Sequence, residues 1–275
     1  MKLVDAVIRS GRIAEDRDSR EKKQNYSQRL SDHLAIEVAD GLRSVGFTSV
    51  NPRREVVGAG KHKGKEKIGK EREFQGGLGP KRVDVSFADE RHGLLLAVSI
   101  KTLNFPGFPK IRASGEFDYS KPNFSKNVKN RFGELTTEAI TLHLRFPFAV
   151  VGCLYAMPAR SMREKGKTMA ISTFERAAHL YRTIAGRMVY GDPPEQFEDV
   201  TLMLYQPVDG EHSPDQAWVK LYPAGKVQKE ISEETYLLTL RDRYNERNPH
   251  AMIGEDADLD ELDFEESGPQ EDGNG

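Results

Sequence analysis

Lys81-Arg82-Val83-Asp84-Val85-Ser86-Phe87 and, seven residues on, Leu94-Leu95-Leu96-Ala97-Val98-Ser99-Ile100-Lys101 decide how this chain is read. Both segments are apolar runs of strand length, and Asp89-Glu90-Arg91-His92-Gly93 between them is a polar turn. They are expected to be strands at about 82–88 and 94–101, joined as a hairpin. Each carries a charge where a buried strand stays apolar: Asp84 in the first, Lys101 at the end of the second. Strand alternation puts Ser99 and Lys101 on one face, and pairing across the turn lets Asp84 face them. A carboxylate and an ammonium brought together in this way suit a divalent metal and a phosphodiester. The competing reading is a surface hairpin with an ordinary Asp84–Lys101 ion pair.

Outward from the hairpin, the pattern alternates helices and strands. Leu30, Leu34, Val38, Leu42 and Val45 recur at helical spacing and predict a helix over about Ser27 to Gly46, followed by a short strand from Phe47. A second long helix is expected from Ser125 to Arg145, with Val128, Phe132, Leu135, Ala139, Leu142 and Phe146 as its apolar stripe. The continuous apolar run Phe148 to Met157 reads as a strand buried on both faces. Another helix (about 173–187), strands near 200–207 and 217–222, and a terminal helix (about 232–246) complete the chain. The whole is expected to be an α/β protein: a charged arm over 1–25, one domain over 26–253 with its core at about 27–157, and an acidic tail over 254–275.

The 275 residues hold a single cysteine, Cys153, set in an apolar run, which excludes an intrachain disulfide and a cysteine metal cluster and points to a buried thiol. The seven histidines lack zinc-site spacing, and neither a P-loop nor a Gly-x-Ser-x-Gly elbow is present. No stretch approaches the ~20 apolar residues needed to span a bilayer, and the first residues lack a secretory core. A cytoplasmic location without a membrane partner is expected. The net charge of −2 hides an asymmetry. Of the 43 acids, ten lie in residues 254–275, which hold no Lys or Arg; the other 33 face 41 bases, an excess of 8 in the body. A basic body suits a polyanion. Residues 58–82 are rich in Gly and Lys, and eight Lys or Arg between Lys61 and Arg82 outnumber three Glu. Lys61, Lys63, Lys65, Lys67, Lys70, Arg72, Lys81 and Arg82 are therefore candidate phosphate contacts beside Asp84.

The helix-strand-strand-strand-helix-strand order, together with Asp84 and Ser99-Ile100-Lys101, resembles the PD-(D/E)XK nuclease superfamily, the restriction-endonuclease-like fold. The resemblance covers residues 27–157. It implies an α-β-β-β-α-β core with a mixed sheet flanked by helices, followed here by C-terminal α/β additions, and hydrolysis of DNA by a metal-dependent endonuclease in restriction or phage defence. Asp84 matches the family's first acid, and Ser99-Ile100-Lys101 stands where the acid-x-Lys motif falls, with serine in place of the acid. Pro80 does not directly precede Asp84. The implied cofactor is Mg²⁺, for which Mn²⁺ can substitute, held by Asp84 and the backbone carbonyl of Ile100. Lys101 would orient the attacking water and Ser99 would hold it. The missing carboxylate would come from elsewhere: first Glu37, on the first helix at the edge of its apolar stripe; then Glu134, on the polar stripe Asn127, Arg131, Glu134, Glu138 of the second helix; then Glu116, in the loop after Lys101. Asn127 and Arg131 join the nucleic-acid candidates. DNA is the expected partner, with a homodimer or a protein partner in a defence complex beside it. A catalytically inactive member of the same fold, acting as a nucleic-acid-binding or scaffolding module, is the alternative.

Overall fold

A computed structural model describes residues 1–56, 66–68, 72–107, 110–111, 114, 117–118, 124–163 and 171–254. In chain order the elements are α1 (Leu3–Arg9), α2 (Arg20–Ser44), β1 (Arg54–Val56), β2 (Glu66–Ile68), β3 (Arg72–Gly76), β4 (Gly79–Val83), β5 (Val85–Asp89), β6 (Gly93–Thr102), β7 (Lys110–Ile111), β8 (Phe117–Asp118), α3 (Ser125–His143), β9 (Val150–Pro158), α4 (Thr173–Tyr181), β10 (Asp199–Gln206), β11 (Trp218–Pro223) and α5 (Glu233–Arg247). Short 3-10 turns follow β9 and α4 and precede β11.

The centre is a five-stranded mixed sheet in the order β11-β10-β9-β6-β5. β6, β9 and β10 run parallel, and the edge strands β5 and β11 are antiparallel to their neighbours. Parallel neighbours need a crossover, which α3 supplies between β6 and β9 and α4 between β9 and β10. Helices then cover both faces, so β9 is buried along its whole length, as its unbroken apolar run requires. α1, α2 and α5 pack on one face, where Leu34, Val38, Leu42, Leu237 and Leu240 meet Val98, Ile100 and Leu154. α3 and α4 pack on the other, where Leu135, Ala139, Leu142 and Phe174 meet Ala97, Val151 and Tyr155. Among the described residues no helix is long and apolar enough to cross a membrane.

Three expectations change. The charged arm over 1–25 is not separate from the domain expected over 26–253. Leu3, Ala6 and Val7 are fully buried in the α2 core, and α2 begins at Arg20, capped by the Ser19 side chain. Phe47 to Val50 forms no strand; Phe47 is a core residue packed edge-on against Phe87 and Tyr244, and only Asn51 bridges to Ser86. The end of the basic loop is a β3–β4 hairpin with Phe74 and Val83 buried. It lies so close to α3 that a Cβ on Gly76 would sit 2.5 Å from the Thr141 side chain. The acidic tail beyond Gly254 lies outside the described residues.

Two acids stand apart from the hairpin, Glu198 buried and Asp199 partly so. Glu198 pairs through Oε1 with Arg187 (3.0 Å) and Arg247 (2.8 Å). Its Oε2 accepts from the Val151 N–H (2.7 Å) and faces His143 Nε2 (3.3 Å), so α3, β9 and α5 are tied together at one charge. Asp199 differs: burial outweighs the Thr201 hydroxyl and the distant Arg243, and its carboxyl is pushed up to about 6. The folded state therefore keeps a proton that the unfolded chain releases near pH 4. Stability falls as pH rises from about 4 through 6, by at most about 3 kcal/mol for a two-unit shift. Asp199→Asn should raise stability at pH 7 by about 1–2 kcal/mol and flatten this limb, with little change at pH 4, in urea denaturation at the two pH values.

Candidate active site

Val83 and Val85 would share a face in a continuous strand, yet they pack into opposite cores. The chain therefore kinks at Asp84, between β4 and β5. The kink ends the β5 ladder at Val85–Val98 and brings Asp84 to the edge of β6, where its Oδ2 accepts the Ile100 N–H at 2.7 Å. The N–H and C=O of one strand residue point to the same side, so the Ile100 carbonyl opens on that edge too.

Ser99 and Lys101 lie on the α3 side, between Ala97 and Leu103 of that core. Ser99 faces Cys153 across the parallel ladder and is buried, with no hydrogen-bond partner for its Oγ among the described residues. The Cys153 thiol is pushed well up by burial, which keeps it protonated and unreactive.

The second carboxylate beside Lys101 is Glu138. Its side chain is 2% exposed, and Oε2 lies 3.0 Å from the Lys101 ammonium and 2.8 Å from that of Lys81. β4 supplies Lys81 because the β3–β4 hairpin is held against α3, with the Gly77 N–H donating to the Thr141 carbonyl at 2.8 Å. Burial alone would push the Glu138 carboxyl up; the ammoniums of Lys101 and Lys81 outweigh it and hold the group below the usual carboxylate range. Burial alone would likewise push the Lys101 ammonium down, but Glu138 and then Asp84 hold it above the ordinary lysine value. Acid and base each stabilise the charge of the other, with Asp84 part of the same field.

Glu37 is not brought to this group. It sits on α2, buried on the opposite face of the sheet, where Oε1 meets Arg9 (3.0 Å) and Arg54 (2.7 Å) and Oε2 accepts the Lys2 N–H (3.2 Å). It anchors the N-terminus. Glu134 is exposed and paired with Arg131. Glu116 lies outside the described residues, as do Lys61, Lys63, Lys65 and Lys70, and the Lys67 side chain is not described. Arg72 stacks over the Phe74 ring, and Arg82 pairs with Glu73 on the exposed face of the hairpin. Asn127 and Arg131 do reach the neighbourhood of Lys101: they line, with it, a cleft of about 480 Å³ between α2 and α3.

Glu138 had a signal. At 100° per residue it falls 40° nearer the apolar stripe of Leu135, Ala139 and Leu142 than Glu134 does, four positions earlier. A carboxylate that close to a buried stripe needs a partner.

Among the described residues no three His, Cys, Asp or Glu side chains group for a metal. The hard oxygens of Asp84, Glu138 and the Ile100 carbonyl nevertheless suit Mg²⁺, which takes one or two carboxylates and keeps several waters. The Ser99 hydroxyl adds a further polar atom, without a hydrogen-bond partner among the described residues. No family model, curated protein or solved structure matches this chain.

Proposed function

We propose that this protein is a Mg²⁺-dependent endonuclease that hydrolyses DNA phosphodiester bonds, on a restriction-endonuclease-like core formed by α2, the β5–β6 hairpin, α3 and β9. The observation that carries the reading is the Lys101–Glu138 ion pair beside a kinked sheet edge, with Asp84 near enough to help keep Lys101 charged. Asp84, Glu138 and the Ile100 carbonyl would hold the ion. When bound, Mg²⁺ polarises a phosphate oxygen and supplies hydroxide at neutral pH. The Ile100 N–H fixes Asp84 through one oxygen. Lys101, kept charged by both carboxylates, orients the attacking water and offsets the charge that builds on the phosphate. Ser99 offers its hydroxyl to that water. A cytoplasmic role in restriction or phage defence belongs to the same proposal.

One observation favours the second reading, a nucleic-acid-binding module without catalysis: Glu138 is paired with two ammoniums, which balance its charge without an ion. Cleavage of DNA in Mg²⁺ separates the two. Asp84→Asn and Lys101→Ala should each lower the rate by about 10²–10³-fold, the loss that accompanies removal of one preorganised charge. Unchanged cleavage in both variants would sink the nuclease.

A further inference from the structure

We propose that the cleft between α2 and α3 binds an unpaired DNA strand and leads it to Lys101, so that the substrate of the site is single-stranded. The inference rests on the nuclease reading for the site it feeds, and it goes further by naming the form of DNA admitted.

The cleft of about 480 Å³ has Lys101 at its floor, with 18% of that side chain exposed. One wall is the first three turns of α2, whose lining residues from Arg20 to Ser31 follow helical spacing and span about 16 Å. The other wall is the start of α3, with Asn127 and Arg131. Among the described lining residues, Arg20, Lys23, Lys101 and Arg131 contribute four cations, and there is no Asp or Glu. Glu134 holds Arg131, and Lys23 is placed by the Asp16 carbonyl. Between the cations stand amide and hydroxyl groups and one aromatic ring, Phe105, which has Lys23 over it at 5.8 Å and Tyr26 packed edge-on. Cations along a groove with an aromatic ring and hydrogen-bonding groups between them are the makings of a single-strand site.

The chemistry of the lining favours one strand over two. α2 and α3 stand on opposite faces of the same sheet, and Lys101 lies between them at the end of β6. An extended strand can lay phosphates on the cations and turn a base onto the Phe105 ring. In a duplex the bases are stacked on one another and are not free for that ring.

Fluorescence anisotropy of a labelled oligonucleotide in EDTA tests this without any need for cleavage. The single strand should bind about tenfold more tightly than its duplex, as one base stacked on a ring provides. Phe105→Leu, which keeps the packing, should remove about that factor. In Lys23→Gln/Arg131→Gln, two polar replacements on partly exposed positions, the slope of log affinity against log salt should fall by about 0.7 for each cation removed. A duplex bound as tightly as the single strand, or single-strand affinity and slope unchanged in both variants, would overturn the inference. Cleavage in Mg²⁺ reads the other proposal. Single-strand binding through the cleft without hydrolysis leaves this inference standing and removes the nuclease; hydrolysis of duplex with no single-strand preference does the reverse.

Discussion

Glu138→Gln should lower Mg²⁺-dependent DNA cleavage by about 10²–10⁴-fold, the span over which a positioned charged group contributes, while Glu37→Gln leaves the rate within about threefold of wild type. The contrast follows from what each carboxylate holds. Glu138 pairs with Lys101, whose charge Asp84 also supports. On the proposed chemistry its loss removes a ligand oxygen, and it removes the stronger of the two influences that keep Lys101 protonated in a desolvated place. Glu37 is also buried and paired, but with Arg9, Arg54 and the Lys2 N–H on the far side of the sheet. Its loss should appear in stability instead, as about 1–3 kcal/mol in urea denaturation for a buried carboxylate whose charged partners are left behind. Single-turnover cleavage and denaturation on both variants give the check. If Glu37→Gln abolishes cleavage in a protein that remains folded and Glu138→Gln does not, the site has been assembled from the wrong helix.

Glu198→Ala should destabilise the fold by about 3–5 kcal/mol, the loss expected when one member of a buried ion group is removed and the others remain. Arg187 and Arg247 are 3% and 7% exposed, and both would be left facing His143 around an empty place. The Val151 N–H would lose its acceptor as well. Burial alone would raise the Glu198 carboxyl; His143, the Val151 N–H and Arg247 overcome it and hold the pKa below the ordinary value. The group therefore contributes stability above the unfolded carboxylate pKa, and that contribution is lost as pH falls through the folded one. Denaturation at pH 7 should show the full difference between wild type and variant, and acidification should narrow it. A variant that unfolds at the wild-type urea midpoint would mean that Glu198 and its partners do not act as one group.

The hairpin was legible because its signals are local. Two apolar runs broken by five polar residues need no knowledge of the rest of the chain, and β5 and β6 pair antiparallel across that turn as expected. The α3 and β9 signals were equally local, a helical stripe and an unbroken apolar run. What escaped depends on partners far away in sequence. α1 is seven residues long, too short for periodicity, and is specified by the α2 surface it covers. The first turns of α2 are polar apart from the buried Tyr26 and face the cleft and solvent, so the expected helix began at Ser27, about two turns too late. Gly and Lys dominated residues 58–82 and hid Phe74, which is buried and helps anchor the end of that segment. Glu138 was visible as one of four polar residues on a helix, but Lys81 and Lys101, which give it a place in the core, come from β4 and β6.

The crossover helix has a further consequence. In a chain whose acid-x-Lys motif is complete, the acid and the lysine sit two residues apart on one strand and exist together as soon as that strand does. Here the strand carries Ser99, and the acid arrives on α3, in the connection that must swing across before β9 can pair with β6. A nascent chain that has formed the hairpin but not yet docked the helix holds Asp84 and Lys101 without their partner. On the proposed chemistry it is harmless to the DNA around it, and hydrolysis switches on only when tertiary assembly is complete.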